Sequence, residues 1–281
     1  MKTINIKGEL LDLSRPLVMG ILNMTPDSFY DKSRQQSETE VVEQTRKMLS
    51  EGADIIDIGA QSSNPKSPLL SVEEESDRLR KYLPVLVKEF PDAVFSVDTF
   101  YSDVTKMCVN EFGVAIVNDI SGGEMDKNMF ATVAELKVPY VLMHIQGTPQ
   151  TMTGKTAYQN LIQDIFYYFS QKVENLRLLG VNDIILDPGF GFSKTVNQNY
   201  ELMAQLRNFH IFELPLLVGI SRKSMIYKFL GITPHESLNA TTVLHTYALL
   251  NGANILRAHD VREAVEAVQI VGKIKNSEQT D

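Results

Sequence analysis

Short apolar runs rich in Val and Ile recur along the chain, each ending in small or polar residues and each followed by a longer stretch with helical spacing of its apolar positions. That alternation is the pattern of βα units: a strand buried on both faces reads as a continuous apolar run, and the helix covering it keeps one polar side. The runs predicted as strands are Leu17–Leu22, Ile55–Ile58, Val94–Val97, Ala115–Val117, Tyr140–Met143, Ile184–Leu186, Leu216–Ile220 and Asn254–Arg257. Helices are predicted near 38–51, 71–89, 101–112, 127–136, 157–179, 197–208, 235–250 and 260–274, with Ser71 and Glu74 spaced as a capping box. Eight consecutive βα units close most economically into a (β/α)8, or TIM, barrel. An open doubly wound sheet shares the periodicity and stays as the alternative, because periodicity does not report closure. No Pro/Gly-rich linker or charge run divides the units, so a single α/β domain over 1–281 is expected, with its core at about 15–274. A short hairpin or cap is expected over 3–13, and Asn276–Asp281 reads as a polar tail that frays.

Reacting groups of such a barrel stand where strands run into the following loops, and here all eight of those positions are polar. The first strand leads into Asn23, the second carries Asp57, and the third leads into Asp98-Thr99. The fourth gives Asn118-Asp119, the fifth His144, the sixth Asp187-Pro188-Gly189, the seventh Ser221-Arg222-Lys223, and the eighth Arg257-Ala258-His259-Asp260. Any one of these is explicable as a helix cap or turn residue. Eight in succession, mixing carboxylates, amides and cations, point to one polar pocket. Asp57, Asp98, Asn118 and Asp187 supply acceptors suited to a flat heterocycle rich in N–H groups, such as a pterin, and Asn118 adds donors. Arg257, His259 and the backbone amides after Gly219 suit a phosphate, and Lys223 could serve either half. Asn23 offers an uncharged oxygen to a hard cation such as Mg²⁺. Ser221 lies in no Gly-x-Ser-x-Gly elbow and no orienting acid is evident for His144 or His259, so a covalent nucleophile is not expected. His144 and His245 are read as structural.

Composition narrows the partners. A formal net charge of −8 gives no general attraction to nucleic acid or an anionic membrane, so any polyanion site must be local. Cys108 is the single cysteine, which excludes an intrachain disulfide and a Cys-rich metal cluster. The first residues lack the apolar stretch of a signal peptide, and no apolar run approaches the roughly 18 residues of a membrane span. A soluble, cytoplasmic protein acting on small molecules is expected, with neither nucleic acid nor membrane as partner.

From about residue 17 to about 272 the chain resembles the dihydropteroate synthases, pterin-binding enzymes on a TIM barrel. The resemblance rests on Met19 to Phe29, Ser96-Val97-Asp98-Thr99, Asn118 to Gly123, Met143-His144 with Gly147-Thr148-Pro149, Leu186 to Phe192, Gly219 to Ser224 and Arg257-Ala258-His259-Asp260, in that order. It implies condensation of 6-hydroxymethyl-7,8-dihydropterin pyrophosphate with p-aminobenzoate, giving 7,8-dihydropteroate and pyrophosphate. It implies a pterin site at Asp57, Asp98, Asn118, Met143, Asp187, Gly219 and Lys223, and a pyrophosphate site at Asn23, Arg257 and His259 with Mg²⁺ on Asn23. For p-aminobenzoate it implies Phe29, Ser63, Asn64, Pro65, Phe192, Lys223 and Ser224. Catalysis falls to Asp98, Lys223, Arg257 and His259 through a dissociative path, in which the C–O bond to pyrophosphate breaks before the arylamine attacks. A homodimer through the late helices is implied as well. Two other readings share the pterin pocket: a pterin-dependent methyltransferase acting on methyltetrahydrofolate, and a non-catalytic pterin-binding protein.

One stretch departs from the family pattern. Where the family usually reads Gly-Glu-Ser-Thr-Arg-Pro-Gly, this chain has Ala60-Gln61-Ser62-Ser63-Asn64-Pro65-Lys66, so a planar cation is lost at Asn64. The expected consequence is a raised KM for p-aminobenzoate that Asn64→Arg lowers, with pterin affinity nearly unchanged. Steady-state kinetics on the two proteins check this, and an equal KM would show that the departure is neutral.

Overall fold

The computed structural model describes residues 2–24, 34–61 and 67–278. The chain opens with a hairpin, as expected: β1 (Thr3–Ile6) pairs antiparallel with β2 (Glu9–Asp12). The turn residues Lys7 and Gly8 both have positive φ, 53° and 93°, which matches a two-residue turn to the right-handed twist of its strands. Ile4 and Leu13 are buried and join Leu17, Met19, Ile55, Ile116, Val141, Ile185, Leu217 and Ile255 in one apolar cluster. The hairpin therefore plugs the end of the barrel at which the strands begin.

Eight parallel strands follow: β3 (Leu17–Asn23), β4 (Ile55–Gly59), β5 (Val94–Asp98), β6 (Ile116–Asp119), β7 (Tyr140–Met143), β8 (Ile184–Asp187), β9 (Leu217–Val218) and β10 (Ile255–Ala258). From β3 to β8 each strand pairs with the next in sequence, and β10 pairs both with β9 and with β3, setting Ile255 opposite Leu17. Between β8 and β9 a single parallel bridge joins Leu186 to Leu216, and the Leu186 N–H donates to the Pro215 carbonyl at 2.9 Å. Strand order runs round without reversing, so the sheet is the expected barrel and not a doubly wound sheet.

Alternate strand residues divide the interior. Val18, Leu22, Ile56, Ile58, Val97, Val117, Leu142, Leu186, Val218 and Leu256 belong to the large cluster that includes the covering helices. The other set lines the barrel, apolar near the hairpin and polar toward the strand ends, where Asp57, Ser96, Asn118 and Asp187 are buried. The described helices are α1 (Arg34–Ser50), α2 (Val72–Glu89), α3 (Ser102–Phe112), α4 (Met129–Leu136), α5 (Leu161–Leu178), α6 (Val196–Ala204), α7 (Ser224–Leu230), α8 (Leu238–Leu250) and α9 (Val261–Glu278). The capping box forms on α2 as expected: the Glu74 N–H donates to Ser71 Oγ at 3.2 Å and the Ser71 N–H to Glu74 Oε2 at 2.8 Å.

The structure differs from the sequence reading in three places. A helix not anticipated, α7, stands between β9 and α8, because the chain leaves the sheet at Val218 rather than Ile220. The Lys223 N–H bonds back to the Ile220 carbonyl at 3.1 Å, Arg222 takes a left-handed φ of 54°, and Gly231 at 68° ends the helix so formed. Helix α5 starts at Leu161 instead of 157: Asn160 caps it, and Tyr158 turns away to donate to the Ser193 carbonyl at 3.0 Å. The polar tail expected from Asn276 begins as helix, since α9 runs on to Glu278 after Lys275 Nζ donates to the Leu249 carbonyl at 2.8 Å, and 279–281 lie outside the described residues. Among the described residues no helix is long and apolar enough to cross a membrane.

Candidate active site

The strand ends open into a cavity of about 310 Å³, lined by Ile21, Asn23, Gln61, Asp98, Asn118, Ile120, Met143, Asp187, Phe192, Gly219, Ser221, Arg222, Lys223, Arg257 and His259. Because barrel strands are in register and side chains alternate, residues far apart in sequence face one another here. Of the residues singled out from the sequence, this brings together Asn23, Asp98, Asn118, Met143, Asp187, Phe192, Gly219, Lys223, Arg257 and His259. Asp57 lies fully buried behind them. Ser224 instead lines a neighbouring cleft with Gly191, Lys194 and Lys228. Phe29, Ser63, Asn64 and Pro65 lie outside the described residues.

Ion pairs across the barrel organise the deep part. Arg257 donates through Nε to Asp57 Oδ2 and through Nη2 to Asp98 Oδ2, both at 2.7 Å, and Asn118 Nδ2 donates to Asp57 Oδ2 at 2.9 Å. Burial disfavours the Arg257 charge, but the Asp57 and Asp98 carboxylates more than offset this and hold it protonated. For Asp98, burial raises the carboxyl pKa against the pull of Arg257, while Asp57 and Asp119 add to the rise. Asp187 is also raised by burial, opposed by Lys223, and its Oδ1 accepts the Gly189 N–H at 2.8 Å.

Lys223 spans both parts of the cavity. Its Nζ donates to the Phe190 carbonyl at 2.6 Å and sits 4.5 Å from the centre of the Phe192 ring, a cation–π contact. Burial lowers its pKa to about 8, with Asp187 acting the other way. Phe192 also belongs to an apolar cluster with Phe100, Ile120, Met143, Ile145 and Met152, which gives a polar cavity one flat greasy wall.

The outer rim is held by a separate clamp. Arg222 grips Asp260 with its planar fork, Nε to Oδ2 and Nη2 to Oδ1 at 2.8 Å each, and Nη1 donates to the His235 carbonyl at 3.1 Å. Ser221 Oγ accepts the His259 N–H at 3.2 Å and faces its Nδ1 at 3.1 Å. Although His259 is partly open to solvent, burial of its ring together with the Arg257, Arg222 and Lys223 cations lowers its pKa to about 4.

Sequence reasoning missed several of these groups. Gln61 lines the cavity and accepts the Leu70 N–H at 2.9 Å; the signal was its amide at a position where the family pattern has a carboxylate. Lys194 is buried, with Nζ 2.9 Å from His144 Nδ1, and nothing in its neighbours marks a lysine as interior. Glu75 on α2 is likewise buried, and burial pushes its pKa up to about 7 against the Thr99 hydroxyl.

Comparison with known proteins agrees with this geometry. The family described as pterin binding enzyme matches residues 19–259. Dihydropteroate synthase of Escherichia coli strain K12 is 40% identical over 267 residues, covering 94% of each chain. The chain belongs to the dihydropteroate synthase family. The Synechocystis dihydropteroate synthase is 40% identical over 259 residues, covering 91% of this chain and 89% of its own. Among solved structures, Yersinia pestis dihydropteroate synthase in a sulfonamide drug complex superposes with a TM-score of 0.89 at 39% identity, covering 98% of this chain and 99% of that one. Xanthomonas albilineans dihydropteroate synthase with 4-aminobenzoic acid gives a TM-score of 0.86 at 32% identity, covering 97% and 98%.

The lowered pKa of His259 yields a pH prediction. A base whose pKa falls on folding is charged only below the lowered value, so in the ligand-free protein the imidazole stays neutral from pH 8 down to about 5 and titrates near 4. Nitrogen chemical shifts of the ring in an NMR titration check this; a midpoint near the unperturbed value of about 6.5 would contradict it.

Proposed function

We propose that the cavity binds 6-hydroxymethyl-7,8-dihydropterin pyrophosphate and p-aminobenzoate and joins them into 7,8-dihydropteroate, with release of pyrophosphate, in folate biosynthesis. The observation that carries the reading is the convergence of Asp98, Asn118, Asp187 and Lys223 on one cavity beside the apolar surface of Met143 and Ile120. Carboxylates and an amide answer the ring N–H and amino groups of a pterin, an amine answers its carbonyl, and the apolar surface takes its face. Phe192 beneath the Lys223 ammonium offers a second aromatic-binding position next to the first.

The chemistry follows from these placements. The C–O bond breaks with its electron pair leaving on pyrophosphate, and the positive charge on the methylene carbon spreads into the pterin ring. Asp98 stands where that charge develops, a case of electrostatic stabilisation by a group fixed in advance. The arylamine lone pair then closes the C–N bond and the nitrogen gives up its proton. No covalent nucleophile is needed, and Asp260, the carboxylate beside His259 in sequence, is committed to Arg222. His259 is held neutral in the ligand-free protein, and the charge of a phosphate oxygen brought against it would favour the imidazolium. Arg257 uses Nε and Nη2 on Asp57 and Asp98, which leaves Nη1 to reach one.

The donor set at Asn23 bears on Mg²⁺. Among the described residues no group of three or more His, Cys, Asp or Glu could hold a metal, so a resident ion has little support. A single uncharged oxygen from Asn23 does fit an ion that arrives on pyrophosphate with waters filling its other positions. When bound, Mg²⁺ would offset charge on the leaving group.

For assembly we favour a homodimer across α7, α8 and α9, which expose Phe229 (65%), Val243 (60%), Leu250 (52%) and Ile270 (61%). The cytoplasm suits a chain whose only cysteine, Cys108, is a buried free thiol.

Pyrophosphate release tests the function. Release is expected with both substrates and Mg²⁺, with loss of the reaction in EDTA or without p-aminobenzoate. In Asp187→Ala, pterin affinity by calorimetry is expected to fall about tenfold or more, as lost buried partners cost. Methyl transfer without pyrophosphate release would favour the methyltransferase, and pterin binding without turnover the non-catalytic protein. The assembly is checked by sedimentation, where a monomer at micromolar concentration would remove the dimer.

A further inference from the structure

The segment after β8 has unusual backbone. Gly189, Gly191 and Ser193 all lie at positive φ, 73°, 81° and 47°, so the chain coils tightly through Phe190 and Phe192. Gly189 is packed so closely that a Cβ there would stand 2.0 Å from the His144 carbonyl oxygen. Such a coil has no sheet partner for its carbonyls; it pairs one itself, the Phe192 N–H donating to the Gly189 carbonyl at 3.1 Å, and an unpaired buried carbonyl is costly. Two lysines answer them. Lys223 takes the Phe190 carbonyl at 2.6 Å, and Lys194 takes those of Gly189 and Phe192 at 3.0 and 3.1 Å.

Lys194 has no place in the reaction derived above, yet it is buried, which lowers its pKa to about 7 against the pull of Asp187, and as an ammonium it directs its three protons at fixed acceptors. The third is His144 Nδ1 at 2.9 Å. Burial and the Lys194 charge keep His144 neutral, so Nδ1 can accept only if the ring proton sits on Nε2. The ring itself is held buried, edge-on to Tyr168 at 4.9 Å. His144 directly follows β7 and thus ties the coil to the neighbouring strand.

We propose that Lys194 is a positioning residue for the arylamine substrate: bound to His144, Gly189 and Phe192, it fixes the Phe190–Phe192 coil and through it the Phe192 ring. This rests on the reading that p-aminobenzoate lies against Phe192. A methionine at 194 would match much of the length but leave the Phe192 carbonyl and an imidazole nitrogen without this donor, and the Gly189 carbonyl with the Phe192 N–H alone, freeing the coil to move. Asp98, Asn118 and Met143 stand on other strands, so the pterin position depends on the coil less than the Phe192 ring does.

The experiment is steady-state kinetics with pterin calorimetry on the whole protein, comparing wild type, Lys194→Met, His144→Asn and His144→Leu. Lys194→Met is expected to raise the KM for p-aminobenzoate by about tenfold or more, with kcat and pterin affinity changed about twofold at most. His144→Asn keeps an acceptor near Nδ1 and should retain most of the wild-type KM, whereas His144→Leu removes it and should resemble Lys194→Met. That pair keeps the test alive if Lys194→Met does not fold. Wild type that fails to turn over with p-aminobenzoate overturns the functional reading itself. With wild-type turnover in hand, an unchanged KM in Lys194→Met, equal behaviour of the two His144 variants, or a matching loss of pterin affinity would each overturn the positioning role.

Discussion

The polar end of this barrel depends on one buried guanidinium. Arg257 reaches from β10 to Asp57 on β4 and Asp98 on β5, and without it two carboxylates would face each other in a space from which water is largely excluded. Removing one partner of a buried charge pair leaves the other uncompensated, which typically costs about 3–5 kcal/mol. Asn118 joins the same carboxylate oxygen of Asp57, so four strands share one hydrogen-bonded centre. That centre holds Asp98 at the cavity wall in a set direction, the condition for a group that must meet charge appearing only in the transition state.

Around this centre the structure separates support from chemistry by depth. The end near the hairpin is filled by Ile4, Leu13, Met19 and their neighbours and has no polar work to do. The rim is held by Arg222 and Asp260, and the coil after β8 by Lys194 and Lys223, so these loops are braced by charged groups in addition to the apolar packing of Phe190 and Phe192.

What could be read from the sequence follows from the same division. Barrel strands are short, doubly buried and followed by polar residues, so their positions and the identity of Asp98, Asn118, Asp187, Lys223 and Arg257 stood out by period and place. Closure itself could not be read, because it rests on pairings such as Leu186 with Leu216 that no local pattern carries. Helix α7 was hidden because Ile220 continues the apolar run of β9, and only the left-handed turn at Arg222 ends it. Lys194 escaped for a different reason. A lysine reads as surface, and its burial is set by three acceptors, His144 among them, that only the folded chain brings together. Ser224 carried the family motif yet opens onto the adjoining cleft, since motif order reports neighbourhood along the chain and not which side of a turn a side chain takes.

The pairing of Leu17 with Ile255 makes the ring a bond between the two ends of the chain. A contact that long in sequence forms late, since the entropy of closing the intervening loop must be met before the contact rewards it. On a chain emerging from the ribosome, β3 to β8 can associate while β3 still waits for its second neighbour. Until Ile255–Ala258 arrives, Asp57 and Asp98 lack their countercharge as well. Closing the cylinder and neutralising its mouth are therefore a single late event in the life of the nascent protein.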